Sequence, residues 1–382
     1  MRPRDFTAPR ASSRPGAAAG GSSAGVRGTG PELFCQLARV VARLAGRQGL
    51  RSFTLPYPLA AQLALDRAVL HCLEIGQAPP RSLPELLEWC RHRSAGDPLF
   101  QVPRSLITPE ATLVHRVGLL PTRTCLELTS WDPGGGEEEE ARRMLDDLAT
   151  RCGHEELYRR CRQFLAHHPV MRQEDRDPRR GWRPAVWSRV KSLYEPLPEY
   201  LKVDGLALQC PACDLPALPS SRKAPAPGQL LSGPDTWCEG EHCPHGLPLE
   251  LVRAPEQVLL LRRPLRAFLT LPRAVEAAAL DALREAEMDF EPLPGGLGAY
   301  RLTNSHENCV IRVYDRVQPA LLAARYASEA APSTDRTLVV GPERLAGFPG
   351  YRSAFISALP DFLSDRTVLT TPSALVNHLS DS

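Results

Sequence analysis

Four cysteines stand at spacings that suit thiolate chemistry. The text LQCPACDLP places Cys210 and Cys213 two residues apart, and WCEGEHCPHG brings Cys238 and Cys243 after 24 intervening residues. A C-x-x-C knuckle presents two thiolates to one ion, and a second pair completes a tetrahedral set. An all-cysteine set closes the coordination sphere, leaves no open position for water, and points to structural zinc. A segment this rich in Pro, Gly and Cys gains its reason to fold from the metal. His242 or His245 could replace Cys243 as the fourth ligand, and the sequence leaves that choice open. A redox C-x-x-C is the alternative, but it calls for a reactive thiolate between strand and helix. Pro211 and the distal cysteine pair favour metal.

The other seven cysteines, Cys35, Cys72, Cys90, Cys125, Cys152, Cys161 and Cys309, have no partner at a telling spacing. The odd total of eleven argues against a secreted disulfide framework, so these seven read as buried reduced thiols. A net charge of +2 gives no global field toward nucleic acid or an acidic membrane. The opening MRPRDFTAPRASSRPG lacks the apolar core of a signal peptide, and no run approaches a membrane span. A cytoplasmic protein is expected. Of 46 basic residues only Lys191, Lys202 and Lys223 are lysines, so none follows residue 223.

The elements that position these residues fall into four stretches: a disordered tail (1–30), a helical domain (31–203), a zinc ribbon (204–249) and an α/β domain (250–382). Residues Leu33, Leu37, Val40, Val41 and Leu44 share one helix face. A second helix over 58–75 carries Leu59, Leu63, Leu65, Val69 and Leu73. A third, over 82–93, has Ser82 as N-cap and Glu85 at the capping-box position. The run PGGGEEEE (133–140) reads as a turn and an acidic helix start, a cap and solvated face rather than a metal site. Helix continues through Leu148, restarts after Gly153, and returns over 184–195. Beyond the ribbon, the apolar runs at 258–263, 309–315, 337–341 and 367–371 alternate with helices at 272–288, 318–328, 349–359 and 372–379. That alternation indicates a central sheet.

The order of segments in this last region resembles a known family. FLTLPRAVEAAAL (268–280), GLGAYRL (296–302) and CVIRVYDRVQPALLA (309–323) are similar to successive segments of the restriction-endonuclease-like domain of prokaryotic Piwi (pPIWI-RE) three-gene defence islands. RTLVVGPERL, PGYRSAF and TVLTTPSAL resemble its late strands and helices. The ribbon and the helical region look like the domains that precede this nuclease. The resemblance implies a multidomain fold with a C-terminal α/β restriction-endonuclease-like domain, and a Piwi-type protein and a helicase as partners.

In such nucleases two acids hold Mg²⁺ against the scissile phosphate and a lysine polarises the attacking water. The resemblance puts Glu276 at the helix glutamate, Gly298 and Arg301 where the family has aspartates, Arg312 at the strand aspartate and Tyr314 at the lysine. Asp315 is the other acid that remains. Arginine is a poor water activator, so the expectation is a non-catalytic nuclease fold, with Mg²⁺ required only if activity survives. Binding without cleavage would suit Arg312, since arginine pairs with phosphate and Tyr314 can stack on a base.

The segment 171–194 interleaves Arg179, Arg180 and Arg183 with Trp182 and Trp187, a pattern suited to DNA. The acids among them equally suit an exposed loop with packed tryptophans. The leading expectation is a DNA-binding or scaffold component of a phage-defence system. An active Mg²⁺-dependent endonuclease and a protein-only zinc-ribbon adaptor are the alternatives.

Overall fold

The structure, a computed structural model, describes residues 29–48, 50, 55–130, 136–172, 175, 183–219, 236–241, 243, 248–252, 254–293, 298–303, 309–330, 335–346, 348 and 350–380. Helix α1 (Thr29–Gln48) buries Leu33, Phe34, Leu37, Val40 and Val41, as its 3–4 spacing requires. Phe34 meets Phe100 edge-on at 5.0 Å. Helix α2 (Leu59–Glu74) packs differently from the sequence reading. Its buried face is Ala61, Ala64, Leu65, Ala68 and Cys72, whereas Leu59 is 74% and Leu73 62% exposed. Small residues let the helix approach α1 closely, and the larger leucines are turned outward.

Helix α3 (Leu83–His92) begins as expected. The Ser82 hydroxyl accepts from the Glu85 N–H at 3.4 Å, and the Glu85 carboxylate accepts from the Arg81 N–H at 2.8 Å. Helix α4 (Arg123–Thr129), capped by Thr122, is buried along its whole length. It has no polar face, so amphipathic periodicity gives no sign of it.

Helices α5 (Glu137–Cys152) and α6 (Glu155–His167), strand β1 (Val170–Met171), helix α7 (Pro184–Val190) and strand β2 (Tyr194–Pro196) build a second core. The helix expected over 184–195 thus gives way to a 3₁₀ turn and a strand. The metal-ligand region follows as strands β3 (Lys202–Val203), β4 (Leu206–Gln209), β5 (Pro216–Pro219), β6 (Thr236–Cys238) and β7 (Glu250–Val252). All pair antiparallel, in the order β3-β4-β5-β6 with β7 on β4.

Strand β8 (Leu259–Leu261), expected with the C-terminal strands, instead lies between β1 and β2. Its alternation explains why: Leu260 joins the core around the cysteine-bearing sheet and Leu261 the core of α5–α7, so both faces are covered locally. Short helix α8 (Arg263–Leu265) runs through a wider π turn (Arg266–Thr270) into α9 (Arg273–Glu285).

The C-terminal sheet contains strands β9 (Phe290–Pro292), β10 (Ala299–Leu302) and β11 (Cys309–Val313), helix α10 (Pro319–Glu329), strand β12 (Arg336–Val340), helices α11 (Glu343–Ala346), α12 (Tyr351–Ala358) and α13 (Asp361–Ser364), strand β13 (Thr367–Thr370) and helix α14 (Leu375–Ser380). The sheet order is β13-β12-β11-β10-β9, with β11, β12 and β13 parallel and β9–β11 antiparallel. Ile311 and Val313 pack toward α9 and α14, while Tyr314 and Val339 pack toward α10 and α12. Both faces are therefore buried by helices, which is what parallel strands demand.

Candidate functional site

The four-cysteine centre grows out of two hairpins. Strands β4 and β5 pair Leu208 with Ala217 and Gln209 with Pro216, so Cys210 to Cys213 form the connecting loop. Within it the Asp214 N–H donates to the Cys210 carbonyl at 2.9 Å, and the Cys210 N–H donates to the Leu215 carbonyl at 2.9 Å. Strand β6 sets Cys238 opposite Ala217, and the Glu241 N–H returns to the Cys238 carbonyl at 3.0 Å. The outcome is four Sγ atoms within 4.8 Å of one another. An ion about 2.3 Å from each sulfur would draw them to an edge of roughly 3.8 Å, so the set fits a tetrahedral ion.

Gly240 makes the cluster possible, since a Cβ there would stand 2.7 Å from Cys243 Sγ and 3.3 Å from Cys213 Sγ. A metal takes these cysteines as thiolates, so its binding would release their protons. The four cysteines can hold a metal ion. Among the described residues no other group of three or more His, Cys, Asp or Glu is so arranged. His242 and His245 lie outside the described residues. The other seven cysteines are free thiols, six buried and Cys35 partly so.

Of the positions the resemblance singles out, Glu276 of α9 and Gly298, Tyr314 and Asp315 at the ends of β10 and β11 border a cleft of about 480 Å³, together with Glu138 and Arg142 of α5, Arg162 of α6 and Arg316. Glu276 accepts a hydrogen bond from Arg162 at 3.1 Å and another from the Tyr300 hydroxyl. Arg312 and Tyr314 turn to the other face of the sheet, where both meet Glu329 of α10. Arg312 Nη1 lies 3.3 Å from the Glu329 carboxylate, and the Tyr314 hydroxyl donates to it at 2.7 Å. Burial first, and then Glu329, push the Tyr314 phenol above its usual range. Tyr314 thus still borders the cleft with Glu276 whereas Arg312 does not, and strand alternation commits both side chains to Glu329.

Gly298 adopts φ +65°, and a Cβ would lie 2.9 Å from the Val313 carbonyl oxygen. The position favours glycine, so no acid stands there. Arg301 is exposed, opposite Val310 in the β10–β11 ladder, and does not border the cleft.

Around these positions runs a chain of ion pairs. Glu138 is buried and faces Arg316 at 2.5 Å, Arg325 at 3.1 Å and Arg142 at 3.3 Å. Arg325 reaches Glu329 at 2.7 Å, and Arg142 binds the same carboxylate. Asp315 pairs with Arg344 at 2.5 Å and with Arg123 of α4 at 3.1 Å. Burial is the largest single influence and opposes the charges of Glu138 and Asp315, but Arg316, Arg325 and Arg142 together in the first case, and Arg123 and Arg344 together in the second, outweigh it, and both carboxyls sit below their usual range. The acidic run expected as a solvated helix start is thus half correct. Glu139 and Glu140 are exposed, whereas Glu137 pairs with Arg263 and Glu138 anchors the cleft.

Helix α4 ties the three regions together. Glu127 accepts from the Val317 and Gln318 N–H groups at 2.8 and 3.0 Å, Gln318 donates to Thr124 at 2.8 Å, and the Arg123 N–H donates to Glu241 of the cysteine-bearing loop at 3.0 Å. Sequence reasoning missed these residues. The one local signal was the Thr122 cap ahead of two charged residues in an apolar stretch.

Of the basic segment, Arg179, Arg180 and Trp182 lie outside the described residues. Arg183 is exposed. Trp187 packs at 5.3 Å from Tyr194 against the α5–α7 core, consistent with a structural tryptophan.

Residues 33–172 match the family model described as pPIWI_RE three-gene island domain Y. No curated protein and no solved structure matches the chain. Among the described residues no helix is long and apolar enough to cross a membrane.

Proposed function

We propose that this chain, which carries domain Y of the pPIWI_RE three-gene islands over residues 33–172, is a DNA-binding or scaffold component whose C-terminal domain is a nuclease-like fold without catalysis. The order helix, three strands, helix, strand from α9 to β12 supports the restriction-endonuclease-like reading. The cysteine centre is a structural zinc ribbon that fixes the loop bearing Glu239 and Glu241. A Piwi-type protein and a helicase from the same islands are its partners.

One observation carries the loss of catalysis. Glu138, Glu276 and Asp315 at the cleft, and Glu329 beside it, are each bonded to guanidinium groups. A divalent cation needs carboxylates whose charge is available, and here arginine has already neutralised them. Arg312 and Tyr314 supply neither an anion nor an ammonium group where the resemblance places them.

The test is nicking of supercoiled plasmid with Mg²⁺ or Mn²⁺ by the wild-type chain beside Glu276→Ala. No nicking in either protein is expected. Nicking that the substitution abolishes would establish an active endonuclease instead. DNA retention that weakens as salt rises is the expected companion result, and its absence would favour a protein-only adaptor.

A further inference from the structure

Helix α2 carries a row of leucines that the core does not use. Leu59, Leu63, Leu70 and Leu73 are between 52% and 74% exposed, while Ala61, Ala64, Leu65, Ala68 and Cys72 face inward. Single exposed leucines are ordinary. Four in one line are not. With Asp66 among them the spacing runs 4, 3, 4, 3, the repeat that keeps a seam on one side of a helix. At about 100° per residue the five fall within a strip roughly 80° wide.

The strip reads almost the same in both directions. About the Asp66–Arg67 peptide bond, Leu63 mirrors Leu70. Leu59 and Leu73 mirror each other to within one residue, a mismatch of about 1.5 Å along the axis. The two central residues are opposite in charge. Among the described residues Asp66 accepts from the Gln62 amide at 2.8 Å and meets no cation. Arg67 has a side chain 54% exposed, donates to Gln36 at 3.0 Å and lies 3.4 Å from Glu32. A guanidinium has further donors beyond those two contacts, so Arg67 can take another carboxylate.

A strip that is palindromic in shape and in charge fits a copy of itself. In a two-fold pair residue i contacts j, and j contacts i. Two α2 helices running antiparallel across an axis at the Asp66–Arg67 bond bring Leu63 onto Leu70 of the second copy, Leu59 beside Leu73 of the second copy, and Asp66 against its Arg67. Every contact is then made twice. A parallel pair would instead stack Asp66 on Asp66. Residues 1–28 of the same chain, the longest stretch outside the described residues, contain neither leucine nor isoleucine and offer no matching seam.

We infer that this chain associates with a second copy of itself through the outer face of α2. The inference does not rest on the DNA-scaffold reading. The contact is about 24 Å long and one helix wide. That puts the total buried area on the order of 1,000 Å², near the low end of specific interfaces, and a dissociation constant of about 10 μM is expected.

Sedimentation equilibrium of the metal-loaded full chain from about 1 to 100 μM should carry the average mass from near that of one chain toward twice that value. Replacing both exposed leucines, Leu63→Gln with Leu70→Gln, should weaken association at least about tenfold and leave the melting of dilute protein unchanged. Asp66→Arg and Arg67→Glu should each weaken it by about tenfold, since each sets like charges against one another across the axis. Mixed in equal amounts, these two variants should pair with each other, because one brings only cations to the axis and the other only anions. Recovery in the mixture is the result that a two-fold register requires. A chain that stays monomeric at the highest concentration overturns the inference and leaves the strip to a different protein. Dimers that persist in the leucine double variant overturn it too, because their contact lies elsewhere, and so does a mixture that fails to associate.

Discussion

The cysteine centre and the arginine-lined cleft both collect groups that metals favour, and they differ in what surrounds those groups. Four sulfurs within 4.8 Å have one another and little else, so a cation resolves their crowding. The cleft carboxylates have arginines, so a cation would have to displace them. Acidic residues near one another are therefore not a metal site until their counter-charges have been counted.

The largest effect that can break this comparison comes from metal removal. Chelation, or Cys213→Ser, should eliminate one bound zinc per chain and cost at least about 5 kcal/mol, seen as a loss of melting temperature. If stability is unchanged, the centre is no different in kind from the cleft.

Next is Glu138→Gln, which leaves Arg316, Arg325 and Arg142 without their shared buried carboxylate. A loss of about 3–5 kcal/mol is expected in denaturant unfolding near neutral pH. The sign of the pH dependence follows from the lowered folded pKa. The stabilisation is fully present above the unfolded glutamate value and disappears as pH falls through the lowered folded value. Wild type should therefore lose more stability on acidification than Glu138→Gln, and parallel acid profiles would contradict the assignment.

The smallest effect belongs to Glu276→Gln. This carboxylate is less buried than Glu138 and can keep its hydrogen bonds to Arg162 and Tyr300 as a neutral amide. A cost near 1 kcal/mol is expected. A gain in stability would mean that Glu276 is a strained residue held for some other purpose.

What could be read in the sequence was local. The cysteine spacing led to the cluster, Ser82 and Glu85 marked the start of α3, and the apolar runs from Cys309 onward became β11, β12 and β13. What could not be read depended on residues far apart. Nothing near Arg123 or Glu138 announces partners almost two hundred positions away in Asp315 and Arg316. Leu259, Leu63 and Leu73 are apolar in any reading, but their placement was decided by neighbouring surfaces. Leu259 went into a different sheet, and the two α2 leucines lie on the exterior.

The placement of Leu321 extends this to the growing chain. It belongs to the first hydrophobic core, among residues of α1 to α4, although it lies in α10. As the polypeptide leaves the ribosome, the helices within residues 33–172 can form early, but their core is completed only by a side chain from α10. Until then Arg123 and Glu127 face water without the Asp315, Val317 and Gln318 groups that later satisfy them. A boundary drawn after residue 172 divides the family match from the rest of the sequence. It does not mark the point in synthesis at which the first core is complete.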